Sequence, residues 1–238
     1  MDRSAEPPID EAVLRAAICA AGRRLGSRGL ISAGEGNLSI RLSGSSLLTT
    51  PTGRRKDELD PKDLVVVPLD STATLDLSGP KPSSDIAIHR AIYRVRADVV
   101  AVVHAHLPAS MALTLVGSAP DPLALPETAH HLPVLPVVPY GAMGSDDLAR
   151  RVAAAFGPAQ GPVPVAVLLE RHGAIAVGSS PDGIVAVATF ADETAIIAAL
   201  VAAVDRLELV DVLCRTWRDA VLLGAALGRA GPMGPAGA

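Results

Sequence analysis

The chain has 238 residues, of which 49% are hydrophobic and 19% are charged. This length and apolar content suffice for a full hydrophobic core, which excludes wholesale disorder. The net charge of −4 does not suit a nucleic-acid binder, because that affinity comes mainly from basic groups that neutralise phosphates.

Cysteine usage and the apolar segments indicate the compartment. Cys19 and Cys214 lie far apart in apolar contexts and form no CxxC motif, so we expect buried, reduced thiols. The N-terminus has no apolar stretch typical of a signal peptide, and the apolar run at 195–204 is too short to span a bilayer. These features predict a cytoplasmic protein without a membrane partner.

The first part of the chain mixes helical and strand patterns. Residues 1–8 are predicted to be a flexible N-terminus, and Asp10 is the expected N-cap of the first helix. Ser83 and Ser84 stand where the N-cap of the second helix belongs. From apolar spacing and turn residues we predict, in chain order, a helix at 9–25, strands at 37–41, 47–50 and 64–68, a helix at 82–95 and a strand at 99–103.

The second part continues without an internal repeat. We predict, in chain order, a helix at 108–116, an edge strand at 134–139, a helix at 146–156, a strand at 165–169, an extended segment at 174–177 and a long helix at 181–213. The Gly/Pro/Ala-rich tail at 228–238 is predicted to be disordered. Strands and helices do not alternate strictly, so the pattern favours one three-layer α/β or α+β domain at 9–227 with a mixed sheet.

The sharpest chemical signal is the sequence His104-Ala105-His106 after a buried strand. Residues i and i+2 of a strand point to the same side, so these two imidazoles can converge on one ion. His172 follows another buried strand and completes a candidate three-histidine set, which is the usual form of a catalytic zinc site. Alternatively, the pair is an ordinary solvated strand end.

Three small polar segments form a second signal. They contain Gly, Ser and Thr at strand or helix ends, where backbone N–H groups and hydroxyls can bind an anion: 36–39, 50–53 and 82–84. Each segment alone also suits an ordinary turn or cap. Asp85 follows the last segment and is either a surface residue at a helix start or a metal ligand or general base.

Other titratable residues give weaker signals. His89 falls within a predicted helix, where a structural or surface role is expected. His130 and His131 fall in a predicted loop and are candidates for the mouth of the site. Arg54 and Arg55 follow the second polar segment, where surface arginines or ligands of an anion are both possible.

Taken in order, the motifs GNLSIR, TPTG, PSSD, AVVHAH and RHGAIAVG resemble the class II aldolase/adducin family over about 9–204. This family includes fuculose- and rhamnulose-1-phosphate aldolases and ribulose-5-phosphate 4-epimerase. The resemblance implies a three-layer α/β/α fold with a central mixed, mainly antiparallel sheet, and a homotetramer. It also implies a divalent metal, most often Zn²⁺, with Mn²⁺, Co²⁺ or Fe²⁺ as alternatives.

The resemblance assigns roles to individual residues. The metal-binding histidines of the family correspond to His104, His106 and His172, and its acid/base glutamate corresponds to Asp85. Its phosphate-binding positions correspond to five residues: Asn37, Thr52, Gly53, Ser83 and Ser84.

Two departures from the family pattern bear on the reaction. Asp85 is one methylene shorter than the usual glutamate, which sets its carboxylate back by about 1 Å, and such displacements matter greatly in catalysis. The aldolases also use tyrosine proton donors, whereas this chain has only Tyr93 and Tyr140. His130 or His131 falls roughly where one of these tyrosines stands in the family.

The resemblance implies a metal-dependent lyase that cleaves a carbon–carbon bond of a phosphorylated ketose or sugar acid through a metal-stabilised enediolate. Decarboxylation of a 3-oxo sugar acid phosphate, epimerisation and dehydration use the same scaffold and remain alternatives. A non-catalytic, adducin-like assembly module is the alternative from another class. Use of Asp85 with two histidines for iron and oxygen chemistry is a further one.

Overall fold

Seven strands form one sheet in the computed structural model, which describes residues 10–42, 45–70, 79–157, 161–179 and 193–227. The strand order is β3-β2-β1-β4-β7-β6-β5. Among these described strands, five of the six pairings are antiparallel, and only β5–β6 is parallel. The strands are β1 (Asn37–Arg41), β2 (Ser46–Thr49), β3 (Val65–Pro68), β4 (Val99–Ala105), β5 (Val137–Val138), β6 (Ala166–Leu169) and β7 (Gly173–Ser179).

Helices cover both faces of this sheet. From Ala101 to Val103, residues of β4 alternate between two hydrophobic clusters, with Ala101 and Val103 in one and Val102 in the other. Helices α1, α3 and α6 contribute to the first cluster, and α2 and α5 to the second. The helices are α1 (Glu11–Ser27), α2 (Ile86–Val95), α3 (Pro108–Leu115), α4 (Pro126–His131), α5 (Asp146–Phe156) and α6 (Glu193–Ala226). The predicted three-layer α/β/α class with a mainly antiparallel sheet is confirmed.

The predicted N-cap of α1 is confirmed, and α5 begins with a cap of the same kind. The Asp10 side chain accepts a hydrogen bond from the Ala12 N–H (2.9 Å) at the start of α1. Ser145 caps α5 in the same way through the Leu148 N–H (3.2 Å). Both cysteines are buried and free, as expected.

The end of β4 and the start of α2 differ from the prediction. Helix α2 begins at Ile86, four residues later than predicted, and its N-cap is Asp85 rather than a serine. The preceding residues are held extended, because Pro82 forms an antiparallel bridge with Pro51 and the Ser83 N–H donates to the Thr50 carbonyl (3.2 Å). Strand β4 runs to Ala105, two residues beyond the prediction.

Two more elements differ from the prediction. His130 and His131 lie in the short helix α4 and not in a loop. Strand β5 is only two residues long, although it lies at the sheet edge as predicted, because the flanking prolines cannot donate to the ladder.

Helix α6 is the longest element. It extends to Ala226, because no glycine or proline interrupts the sequence between 213 and 223. Its predicted start at 181 and the two predicted terminal tails lie outside the described residues. Within the described parts of the chain, no helix is both long and apolar enough to cross a membrane.

The contact between β7 and α6 leaves no space for a side chain at Gly178. A Cβ atom there would lie 1.8 Å from the Ala199 carbonyl oxygen, which belongs to the helix backbone. We expect Gly178→Ala to destabilise the fold by about 1–3 kcal/mol, as overpacking does, measured by urea unfolding. Gly79→Ala is the control, since its Cβ would meet no atom within 4 Å. Equal stability of the two variants would contradict this packing.

Candidate metal centre and active site

The end of β4 places two histidines side by side. His104 is fully buried and lies opposite Asn37 of β1 in the sheet register. His106 follows immediately after the strand, and its ring centroid lies 4.9 Å from that of His104. The side-chain alternation of a strand therefore brings both imidazoles together, as predicted.

The tight turn between β6 and β7 brings in the third histidine. Gly173 has φ +137°, and a Cβ atom there would lie 2.3 Å from the Ala105 carbonyl oxygen, so only glycine permits this approach to β4. The Arg171 N–H donates to Thr114 Oγ1 (2.9 Å), which ties the turn to α3. As a result, the His172 ring centroid lies 4.8 Å from that of His106.

The three histidines form a set that fits a metal ion. One ring nitrogen of each lies within 4.8 Å of those of the other two. The Nε2 atoms of His104 and His172 are buried and have no hydrogen-bond partner among the described residues. A buried polar atom without a partner is costly, and a metal ion would satisfy both atoms. These residues fit a divalent ion far better than they fit a solvated strand end.

The protonation state of the histidines also suits metal binding. Burial, with the charge of His104, lowers the pKa of His106 to about 3 and that of His172 to about 4. Both rings are thus neutral at pH 7 and have a nitrogen lone pair available for an ion.

Asp85 lies beside this set but is not a member of it. Its Oδ1 accepts from the Gly144 N–H (3.1 Å), and its Oδ2 accepts from Asn37 Nδ2 (3.3 Å). Oδ2 also lies 3.6 Å from His104 Nδ1. Burial acts to raise the pKa of Asp85, but the interaction with His104 outweighs it, and the pKa lies well below its usual value. The geometry therefore favours a three-histidine site over two histidines and a carboxylate.

A buried hydrogen-bond network fixes the side chain of Asn37. His89 of α2 contacts Asn37 Oδ1 through Nε2 and Ser39 Oγ through Nδ1 (2.6 Å). Because Asn37 Oδ1 can only accept, His89 Nε2 carries the proton, and burial lowers the His89 pKa to about 3. The Tyr93 hydroxyl lies 3.0 Å from Ser39 Oγ. Tyr93 is therefore a buried member of this network.

The small polar segments lie next to one another. The Thr52 N–H donates to the Lys81 carbonyl (3.0 Å), which extends the pairing of Pro51 with Pro82. The Thr50 N–H donates to the Leu38 carbonyl (3.0 Å), so the first segment adjoins the second. Of the five predicted phosphate-binding residues, two are buried (Asn37 and Ser83) and three are exposed (Thr52, Gly53 and Ser84).

Several candidates have other partners. Arg54 pairs with Asp63 (3.2 Å), and Arg55 pairs with Asp57 (2.7 Å), which fits the surface-arginine interpretation. The exposed ring of Tyr140 lies 4.4 Å from the Arg171 guanidinium. His130 and His131 contact each other on α4 and do not belong to the three-histidine set.

Two residues near the site were not predicted from the sequence. Glu35 Oε1 lies 3.9 Å from His106 Nδ1. The Lys56 side chain is almost fully buried, and burial lowers its pKa to about 8. Neither belongs to a local motif, and their position depends on a glycine-rich loop whose path sequence spacing does not define.

Comparison with known proteins identifies the family. The family model for the Class II Aldolase and Adducin N-terminal domain matches residues 16–199. The chain is 36% identical over 174 residues to a 3-oxo-tetronate 4-phosphate decarboxylase of Cupriavidus necator. The matched stretch covers 71% of this chain and 76% of the relative. It is 34% identical over 171 residues to a methylthioribulose-1-phosphate dehydratase of Acidiphilium cryptum, with 68% and 78% covered.

The solved structures agree. L-Fuculose-1-phosphate aldolase from Thermus thermophilus superposes with a TM-score of 0.71 at 30% identity, over 93% of this chain and 99% of that one. The chain belongs to the class II aldolase and adducin family and is an enzyme of the class II aldolase superfamily. The relatives are named for a decarboxylase, a dehydratase and an aldolase, so the family alone does not select the reaction.

We expect His172→Ala to abolish stoichiometric metal binding, because it removes one of three nitrogen ligands. The measurement is metal content by elemental mass spectrometry after reconstitution with Zn²⁺. His130→Ala is the control, since this exposed histidine lies outside the set. Retention of one metal per chain in His172→Ala would show that the ion binds elsewhere.

Proposed function

We propose that this chain is a metal-dependent carbon–carbon lyase that acts on a phosphorylated ketose or sugar acid. The observation that supports this most directly is the set His104, His106 and His172 with two unpartnered, buried Nε2 atoms. Next to this set lie a buried carboxylate and polar segments suited to an anion. Together they provide a place for an electrophile, a proton acceptor and a phosphate group.

The ion that we propose for the three histidines is Zn²⁺, because three imidazole ligands with an open position are typical of catalytic zinc. When bound, it would supply a Lewis acid for the carbonyl group of the substrate. The neutral state of His106 and His172 at pH 7 supports this assignment.

Asp85 is the proposed proton acceptor. Its low pKa keeps the carboxylate ionised at neutral pH, and the Gly144 N–H and the Asn37 amide fix its orientation. In an aldol cleavage, Asp85 Oδ2 would take the proton of the hydroxyl on the departing carbon. The carbon–carbon bond then breaks, and its electrons move towards the carbonyl. Asp85 Oδ2 then returns the proton to the carbon of the carbonyl-containing fragment at which the bond was broken.

The phosphate is proposed to bind to the five residues of the polar segments: Asn37, Thr52, Gly53, Ser83 and Ser84. Hydroxyl and amide donors suit phosphate oxygens, and glycine allows close approach of the backbone. Exposure of Thr52, Gly53 and Ser84 supports access for a ligand. Binding energy at this remote group would orient the reacting carbon.

Decarboxylation of a 3-oxo sugar acid phosphate is the second candidate. In this reaction, the bond to the carboxylate breaks, carbon dioxide leaves, its bonding electrons move towards the neighbouring carbonyl, and a solvent proton adds to the carbon. No hydroxyl proton has to be removed. This suits Asp85, because its carboxylate lies further from the substrate than that of the usual glutamate. Tyr93 is buried within its network, which does not suit the role of the tyrosine proton donor that the aldolases use. This burial and the similarity to a 3-oxo-tetronate 4-phosphate decarboxylase favour decarboxylation.

We further propose the homotetramer that the family resemblance implies, and a cytoplasmic location. Leu222 and Leu223 near the end of α6, and Leu227 directly after it, are exposed. They support an assembly, since exposed apolar surfaces commonly mark interfaces.

We expect the zinc-loaded protein to cleave a carbon–carbon bond of a sugar phosphate. The assay compares release of carbon dioxide from 3-oxo-tetronate 4-phosphate with release of dihydroxyacetone phosphate from fuculose 1-phosphate. Protein stripped of metal is the control. Cleavage without metal, or no cleavage of any phosphorylated ketose or sugar acid, would overturn the proposal.

We expect Asp85→Asn to keep its metal but lose about 100-fold or more in kcat for aldol cleavage, because the amide cannot accept the proton. Asp219→Asn, an exposed position on α6, is the control. Metal content and kcat are measured on the same samples. If decarboxylation alone is detected, we expect a smaller loss, and full aldolase activity of Asp85→Asn would exclude the proposed role.

A further inference from the structure

A carboxylate other than Asp85 faces the metal-binding set. Glu35 Oε1 lies 3.9 Å from Nδ1 of His106, and Asp85 Oδ2 lies 3.6 Å from Nδ1 of His104. Each histidine at the end of β4 therefore has a carboxylate near the same ring atom. This leaves Nε2 of each ring for an ion, in agreement with the unpartnered Nε2 of His104.

The loop before β1 fixes the backbone of Glu35. The Glu35 N–H donates to the Ser32 carbonyl (3.0 Å), and the Ser32 hydroxyl donates to Glu35 Oε2 (2.7 Å). The next residue, Gly36, has φ +68°, and a Cβ atom there would lie 2.8 Å from the His104 carbonyl oxygen. Only glycine therefore allows the loop to turn this closely against β4.

Lys56 holds the same loop from the other side. Its Nζ donates to the carbonyl of Gly34 (2.7 Å) and also to the carbonyl of Arg54. These bonds join the loop to the segment that contains Gly53. The backbone on both sides of Glu35 is thus fixed, although its side chain remains 40% exposed.

We propose that Glu35 is the positioning residue of His106. With a metal ion bound at Nε2, the Glu35 carboxylate accepts a hydrogen bond from Nδ1–H, which fixes the tautomer and the orientation of the ring and raises its basicity. The proposal rests on the proposed function, because it requires an ion at the three histidines.

The distance is compatible with this role. A charge-assisted N–H···O bond has a length of about 2.8 Å, so Glu35 Oε1 must approach His106 Nδ1 by about 1 Å. A partly exposed side chain reaches this distance by rotation about its own bonds. The fixed backbone, in turn, keeps the carboxylate near this ring.

The test measures Zn²⁺ affinity by competition with a chromophoric chelator. We expect Glu35→Ala to weaken binding by about 10–100-fold, as loss of such a partner does in other metal sites. Glu35→Gln keeps an acceptor oxygen without the charge, so we expect a smaller loss. The matched control is Glu11→Gln, which alters an exposed ion pair with Arg15 on α1 and should leave the affinity within about twofold.

A second readout separates positioning from general stability. In protein loaded with Co²⁺, we expect Glu35→Ala to change the visible absorption of the ion, while the thermal midpoint of the metal-free protein stays that of the parent. Glu35→Gln should restore most of the parent spectrum.

The outcomes distinguish the two proposals. If the parent binds Zn²⁺ and Glu35→Ala binds it equally well with an unchanged Co²⁺ spectrum, the role of Glu35 is wrong and the proposed function stands. If the parent does not bind Zn²⁺ or Co²⁺, both proposals are wrong. The same holds if His172→Ala binds these ions as well as the parent does.

Discussion

Close backbone contact at the end of β4 is the constraint on which the candidate site depends. Gly36 precedes β1 and Gly173 begins β7, and these strands are the two neighbours of β4 in the sheet. A side chain at either glycine would collide with a carbonyl oxygen of β4. Because both neighbours approach so closely, Asn37 on one side and His172 on the other reach the imidazoles of β4.

The site combines parts that cost stability with parts that restore it. Buried imidazole nitrogens without partners each disfavour the folded state by about 1–3 kcal/mol. The network of His89, Ser39 and Asn37 acts in the opposite sense, since its polar atoms satisfy one another. Binding of an ion to the folded state alone would add stability in proportion to the logarithm of its concentration. Function and folding are therefore coupled at the same few residues.

Local patterns predicted much of the architecture. Strand β1 and helix α5 have the predicted bounds, and the i, i+2 alternation brought His104 next to His106. The start of α2 could not be predicted, because the bridge between Pro51 and Pro82 joins distant segments.

The limits of prediction at the site have the same physical cause. His172 was identified because it follows a buried strand, which is a local feature. Glu35 stands in a loop with several glycines, and its proximity to His106 depends on tertiary contacts made by Lys56 and Gly36. Residues positioned by long-range contacts leave no periodic signal in the sequence. The family resemblance supplied the roles of the polar segments, which spacing alone left open.

Helix α6 has 34 residues, so it is about 51 Å long, well beyond the diameter of a small domain. Its last buried residue is Trp217, and none of the nine residues from 218 to 226 is buried. Val221 is the last residue of the helix that packs against the core, as a partly buried side chain. In the isolated chain, we expect the amide protons beyond Val221 to exchange with solvent much faster than those near Leu207. The buried part of this continuous helix is therefore locally more stable than its exposed end. Contact of the end with another protein surface would stabilise it as well.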